Sequence, residues 1–189
     1  MSAAKAPLSG IRVIEMGQLL AGPFAGTLLA YFGAEVIKIE PPNGDPLRQW
    51  RALDEEGTSY WWRSLGRNKK CVTLNLREPQ GRELAKKLID SSQVLIENFR
   101  PGTMEAWGLG PEVFQDSNPA LVYARISGYG QTGPYAHKPG YASVTEAYGG
   151  LRYVNGHQGE APVRMNLSLG DSLAGLHNAI GVGLSTFGP

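Results

Sequence analysis

The stretch from Ile11 to Glu40 constrains the fold more than any other part of this sequence. Ile11-Arg12-Val13-Ile14-Glu15-Met16 is short, rich in β-branched residues and closed by Gly17, the pattern of a buried strand. Pro23 suits a first helical turn, where its missing N–H costs nothing. Phe24 to Phe32 continues with helix formers, and Gly33 stands where a helix C′ residue belongs. Ala34 to Glu40 reads as a second strand, stopped by Pro41-Pro42. Strand, helix and strand in this order need a crossover connection, and hence a parallel pair. Downstream, the pattern predicts strands over residues 71–76, 93–97 and 121–126, and helices over residues 79–91 and 111–116. A Gly-rich loop follows over residues 128–140, then an apolar helix over residues 173–186 that stops at Phe187-Gly188-Pro189. Strands alternating with helices predict an α/β fold with a doubly wound parallel sheet, which binds ligands at the carboxyl ends of its strands. The loops beginning at Gly17, Glu40, Asn98 and Ser127 are therefore the places to look for a site.

Length and composition bound the function. A chain of 189 residues is expected to form one domain with a sizeable core. A net charge of +1 gives no global field favouring nucleic acid or an anionic membrane. One cysteine excludes an internal disulfide framework and a Cys-based zinc site, and fits a reducing, cytoplasmic compartment. The most apolar stretch, from Leu19 to Phe32, is broken by Gly22-Pro23 and is too short to span a bilayer.

Few side chains are equipped for covalent chemistry. Cys71 has no neighbouring histidine, His137, His157 and His177 fall in unrelated segments, and no Gly-x-Ser-x-Gly elbow exposes a serine. Asp171, in Leu169-Gly170-Asp171-Ser172-Leu173, stands at a Gly-preceded turn ahead of a small-residue helical run. A carboxylate is already ionised at neutral pH and serves as a nucleophile toward an activated acyl group without an adjacent base. The alternative is a structural N-cap that satisfies the N–H groups of Leu173 and Ala174.

The β-α-β opening invites a dinucleotide reading, with Glu40 where a ribose-binding acid belongs, but Gly17-Gln18-Leu19-Leu20-Ala21-Gly22-Pro23 is not G-x-G-x-x-G. Between Arg48 and Lys70, basic residues interleave with Trp50, Tyr60, Trp61 and Trp62. That mixture fits a single-stranded nucleic-acid surface, a mixed surface with half-buried tryptophans, or one nucleotide ligand whose phosphates are reached by Arg67, Lys69 and Lys70. Glu97-Asn98-Phe99-Arg100-Pro101-Gly102 follows a strand and reads either as a ligand loop or as an ordinary turn. The Gly-rich loop carrying Tyr129, Gln131, Tyr135, Lys138 and Tyr141 is a lid or a long surface connection.

Several of these motifs, in this order, resemble the class III CoA-transferases, a family that includes formyl-CoA transferase, carnitine CoA-transferase and α-methylacyl-CoA racemase. They are Leu8-Ser9-Gly10-Ile11-Arg12-Val13, Ala21-Gly22-Pro23, Gly33-Ala34-Glu35-Val36-Ile37-Lys38-Ile39-Glu40, Asn68-Lys69-Lys70, Glu97 to Gly102, Gly128-Tyr129-Gly130-Gln131-Thr132-Gly133-Pro134 and Gly170-Asp171. The resemblance spans essentially the whole chain but only the first half of such enzymes. It implies that residues 1–189 are the N-terminal part of a Rossmann-like large domain. The small domain, the returning C-terminal segments and a glycine loop would be absent, so the chain is expected to be inactive on its own, and poorly soluble or oligomeric.

The resemblance further implies that Asp171 is the nucleophile. It implies that coenzyme A, a substrate rather than a bound cofactor, lies along Leu19, Leu20 and Ala21, then Leu74 to Arg77, then Asn98, Phe99 and Arg100, and the loop of Lys138 and Tyr141. The implied partners are an acyl-CoA and a small carboxylic acid, with no nucleic acid or membrane, in an interlocked homodimer. Gly140 to Ala147 and Pro162-Val163-Arg164 resemble members that pair succinyl-CoA with small dicarboxylates, so that Arg164 or Arg152 would hold the remote carboxylate. The racemase branch places a Gly-His-Asp motif where this chain has Gly140-Tyr141-Ala142, and α-proton exchange would lack one base. A non-catalytic fragment or partner subunit is the remaining alternative.

Overall fold

The computed structural model describes residues 5–188. Pro189, the stop expected for the last helix, lies outside the described residues. Five strands, β1 (Arg12–Glu15), β2 (Glu35–Glu40), β3 (Lys69–Thr73), β4 (Val94–Glu97) and β5 (Val122–Arg125), form one sheet in the order β3-β2-β1-β4-β5. Every pairing is parallel. The helices are α1 (Ala21–Tyr31), α2 (Tyr60–Leu65), α3 (Pro79–Asp90), α4 (Thr103–Ala106), α5 (Ala142–Tyr148) and α6 (Leu169–Phe187). The strand order turns back between β1 and β4, so the loops after these two strands flank the crevice where parallel sheets take ligands.

Both sheet faces are covered, which explains the near-continuous apolar runs of the inner strands. Val13, Val36, Val94 and Ile96 pack with Ala25 and Leu29 of α1 and Val182 of α6. Their chain neighbours Ile14 and Leu95 point the other way, onto Ala85 and Ile89 of α3, Met104 of α4 and Phe114. Gly175 lets α1 and α6 meet closely, since a Cβ there would stand 2.7 Å from the Ala21 carbonyl oxygen. Outside that contact α6 leaves Leu173, Leu176, Ile180, Leu184 and Phe187 exposed along one stripe. No helix among the described residues is long and apolar enough to cross a membrane.

The structure corrects several boundaries. The third strand runs over Lys69–Thr73, earlier than residues 71–76, because Lys69 pairs with Val36 and its charge is neutralised inside the fold. The segment at Pro111 is a 3₁₀ turn, Pro111–Phe114, that inserts Phe114 into the core. Three helices, α2, α4 and α5, occupy stretches where the sequence pattern predicted none. The last helix begins at Leu169, with Ser168 at its N-cap position, so Asp171 lies within the first turn and is not the cap.

At the centre of the sheet a buried charge network replaces apolar packing. Glu15 and Lys38 are side by side in the β1–β2 register, both essentially inaccessible. Lys38 Nζ lies 2.8 Å from Glu15 Oε1 and 2.8 Å from Asp45 Oδ2, and donates to the Gly17 carbonyl at 2.7 Å. Lys69 Nζ reaches Glu15 Oε2 at 2.6 Å and donates to the Pro23 carbonyl at 2.7 Å. Burial disfavours the Glu15 carboxylate, but the two ammonium groups outweigh it and hold its pKa below the usual value. Removing one partner of such a group strands the opposite charges in a dry interior. Lys38→Met is therefore expected to lower stability by about 3–5 kcal/mol, measured as a loss of urea unfolding free energy. A change within the range of a surface substitution would show that water reaches the network.

Candidate active site

The loop after β1 is fixed by side chains from three other segments. Lys38 holds the Gly17 carbonyl, and Asp45 Oδ1 accepts from Leu19 N–H at 3.1 Å while also accepting from Leu47 N–H. From across the switch point, Asn98 accepts the Gln18 N–H at 2.7 Å and donates its amide to the Gln18 carbonyl at 2.9 Å. Leu19 is thereby held at φ 61°, in the left-handed region that a leucine avoids. These bonds answer the dinucleotide reading, because the N–H groups of Gln18 and Leu19 are occupied by the protein itself. Glu40 is occupied too, gripped by both ends of the Arg48 guanidinium at 2.7 Å and by the Asp45 N–H at 2.8 Å.

Past this loop, Leu20 and Phe24 form one wall of a cleft of about 400 Å³. Tyr60, Trp61, Ser64 and Leu65 of α2 form a second wall, and Ser168, Asp171 and Ser172 at the start of α6 form the third. Ser59 caps α2 by accepting the Trp61 N–H at 3.1 Å, which aims the Tyr60-Trp61 pair at the cleft. Asp171 is half-buried, and among the described residues no protein donor bonds its carboxylate. Its pKa is raised, first by burial and then by the charge of Glu146, with Arg164 opposing. A carboxylate left more basic, next to the positive end of a helix, is suited to attack an electrophilic carbonyl.

The other candidate nucleophile is disarmed. Cys71 is pushed up to about 11 by burial and by Glu40, so its thiol stays protonated. His177 turns its Nδ1 to the Leu173 carbonyl at 2.8 Å, within its own helix. The basic-aromatic stretch resolves toward a mixed surface: Arg48 stacks on Trp62 at 3.8 Å, Arg51 faces Trp61, and Arg67 faces Tyr31. Lys69 is enclosed with Glu15, and Lys70 pairs with Glu35 at 2.7 Å, so neither is the free phosphate ligand that the sequence suggested.

The model of CoA-transferase family III matches residues 8–187. The chain belongs to that family. Among its relatives, succinyl-CoA–D-citramalate CoA-transferase of Chloroflexus aurantiacus is 51% identical over 176 residues, covering 93% of this chain and 44% of the relative. Succinyl-CoA:glutarate CoA-transferase of Homo sapiens is 39% identical over 172 residues, covering 90% and 39%. A crystal structure of a CAIB/BAIF family protein from Brucella suis superposes with a TM-score of 0.91 at 35% identity, covering 96% of this chain and 49% of that one. The chain thus spans less than half the length of these curated relatives.

Within this family III framework the residues expected to meet CoA follow three strand ends and the loop after β5. Leu19, Leu20 and Ala21 follow β1, Leu74 and Arg77 follow β3, and Asn98, Phe99 and Arg100 follow β4. Lys138 and Tyr141 lie beyond β5. Only Leu20 of this set lines the Asp171 cleft. Arg77, Arg100, Lys138 and Tyr141 are exposed, and Lys138 rests its ammonium 3.9 Å from the Tyr135 ring centre. Asn98 serves as a clamp, Phe99 packs edge-on against Trp107 at 5.1 Å, and Ala21 is buried under α6. Trp61 and Tyr60 were visible in the sequence as part of an aromatic cluster, but nothing local connected them to Asp171. Replacing Asn98 by Leu strips Gln18 of two bonds at once. It is expected to cost about 1–3 kcal/mol of unfolding free energy, measured by calorimetry.

Proposed function

We propose that this chain carries the nucleophile-bearing part of a CoA-transferase, which moves CoA from an acyl-CoA donor to a small carboxylic acid through Asp171. The observation that carries the reading is the Asp171 carboxylate, in the first turn of α6, facing an aromatic-walled cleft with its pKa raised. In this reading the carboxylate attacks the donor thioester carbonyl, and the C–S bond breaks to give a mixed anhydride and CoA thiolate. The thiolate then attacks the aspartyl carbonyl of the anhydride, releasing the donor acid and leaving a β-aspartyl-CoA thioester. The acceptor carboxylate attacks that thioester, and the steps run in reverse to yield the acceptor's CoA ester and free Asp171. In this reading CoA runs along the strand-end loops, and Leu20 is the member of that set that lines the Asp171 cleft.

Succinyl-CoA as donor and a dicarboxylic acid as acceptor are supported by the relatives that act on citramalate and glutarate. Of the two arginines considered, Arg164 is the better placed. Its charge acts on Asp171, and among the described residues its terminal amino groups have no protein acceptor. Arg152 instead donates to the Ser143 carbonyl at 2.7 Å. The α-proton-exchange alternative gains nothing from the structure, since Tyr141 at the α5 N-cap position is exposed and Ala142 carries no base.

Asp171→Ala and Asp171→Asn in the whole protein are each expected to abolish transfer. Trapping wild type with acyl-CoA and hydroxylamine should place a hydroxamate on Asp171 by mass spectrometry. Transfer at the wild-type rate in Asp171→Ala would sink the assignment. Screening malate, itaconate, citramalate and glutarate against succinyl-CoA tests the acceptor class. Arg164→Gln should raise KM for the preferred dicarboxylate by about ten- to a hundredfold, the loss of one charge-assisted pair. Preference for formate or carnitine would overturn the dicarboxylate reading.

A further inference from the structure

The helix that carries Asp171 is not capped by its own residues. Ser168 at the N-cap position offers no side-chain bond, and its carbonyl takes Ser172 instead. The Gly170 N–H donates at 2.8 Å to Oε1 of Glu146, which comes from α5, 24 residues earlier. Gly170 leaves room for this, since a Cβ there would come 3.1 Å from the same oxygen. The Glu146 side chain is only 6% exposed, and its Oε2 lies 3.6 Å from Arg164 Nε. A buried carboxylate thus stands one residue behind the candidate nucleophile, held between a helix N-terminus and a guanidinium.

We propose that Glu146 is a positioning residue for Asp171: it fixes the first turn of α6 and keeps a negative charge behind the nucleophile, metered by Arg164. The proposal rests on the reading of Asp171 as the nucleophile. Two carboxylates share one helix end and divide the labour. Glu146 takes the Gly170 N–H at 2.8 Å and faces Arg164 Nε at 3.6 Å, so the backbone donor at this helix end goes to Glu146 rather than to Asp171. Asp171 is left burial, a like charge and an open cleft, and its basicity rises accordingly. The groups facing Asp171 are few. Among the described residues they are Glu146 from α5, Arg164 from the segment before α6, Tyr60 and the Ser64 hydroxyl from α2, and the hydroxyls of Ser168 and Ser172; Leu20, just before α1, and Phe24 within it are apolar.

The sign of the effect separates this role from plain structural support. Asp171 must be ionised to attack, so kcat/KM for the acyl-CoA falls as pH drops through its raised pKa. Glu146→Gln keeps an oxygen for the Gly170 N–H but removes the like charge. The acid limb should move down by about half a pH unit or more, and the plateau should fall as the nucleophile weakens. Arg164→Gln removes the opposing charge and should move the limb up, whatever it does to KM. Glu146→Leu also loses the cap, and its plateau should lie at least about tenfold below that of Glu146→Gln. All four forms are assayed as the whole protein, with hydroxamate trapping at Asp171 in parallel and circular dichroism to confirm folding. A hydroxamate on Asp171 with the limb unmoved in Glu146→Gln would overturn the role of Glu146 alone. Absence of hydroxamate in wild type would overturn the nucleophile, and this inference with it. If Glu146→Gln does not fold, the Arg164→Gln limb decides, and a limb that stays still or moves down overturns the proposal.

Discussion

A single buried ammonium, that of Lys38, ties the sheet to the site. It lies where β1, β2 and the loop after β1 meet, and it touches a member of each: Glu15, Asp45 beyond the end of β2, and the Gly17 carbonyl. Burying such a group has a large desolvation cost, offset only because four charges and several backbone groups close around one another. Replacing a buried ion cluster by apolar side chains is often neutral for stability, so what this cluster contributes is geometry. Salt bridges and hydrogen bonds are directional, and this cluster uses its direction to hold Leu19 in a backbone region leucine avoids. Asn98 completes the restraint from the other side of the switch point. The loop that opens the crevice is therefore set before any ligand arrives.

The second half of the chain is built on a different scheme. Here the sheet gives way to a Gly-rich loop and the short helix α5, held by edge-on contacts among Tyr129, Tyr135 and Tyr148 with ring centres 5.5–5.8 Å apart. α5 contributes little core, but it delivers Glu146 to the start of α6. Framework and candidate chemistry are thus separated: the front of the chain shapes two walls of the cleft, and the later segments place Asp171 and set the charge beside it.

What could be read from residues alone followed from how local the governing forces were. The β-α-β unit was legible because β-branched runs, Pro23 and Gly33 each act on their own neighbourhood, and Gly33 does adopt φ 97° after α1. α2 was hidden because Tyr60-Trp61-Trp62-Arg63 shows no apolar stripe; its signal was Ser59, one cap among many serines. Lys69 looked like a surface phosphate ligand because its partner Glu15 sits in another strand, inside a run that reads as apolar. Asp171 stood out by elimination and by family resemblance, while its setting was illegible. Glu146 is one glutamate in a seven-residue helix, and a sequence cannot tell a solvated glutamate from one that caps a helix far along the chain.

The close approach at Gly175 has a mechanical consequence. α1 begins at the clamped loop and α6 begins two residues before Asp171, and the two helices meet backbone to backbone where Gly175 faces the Ala21 carbonyl. No compressible layer of long side chains separates them there. Neither helix can slide or roll freely past the other at this point, since any side chain at position 175 would collide with the Ala21 carbonyl oxygen. The start of α6, and Asp171 with it, is thus locked in register with the loop that Leu20 closes, as two teeth of one comb share a single spine.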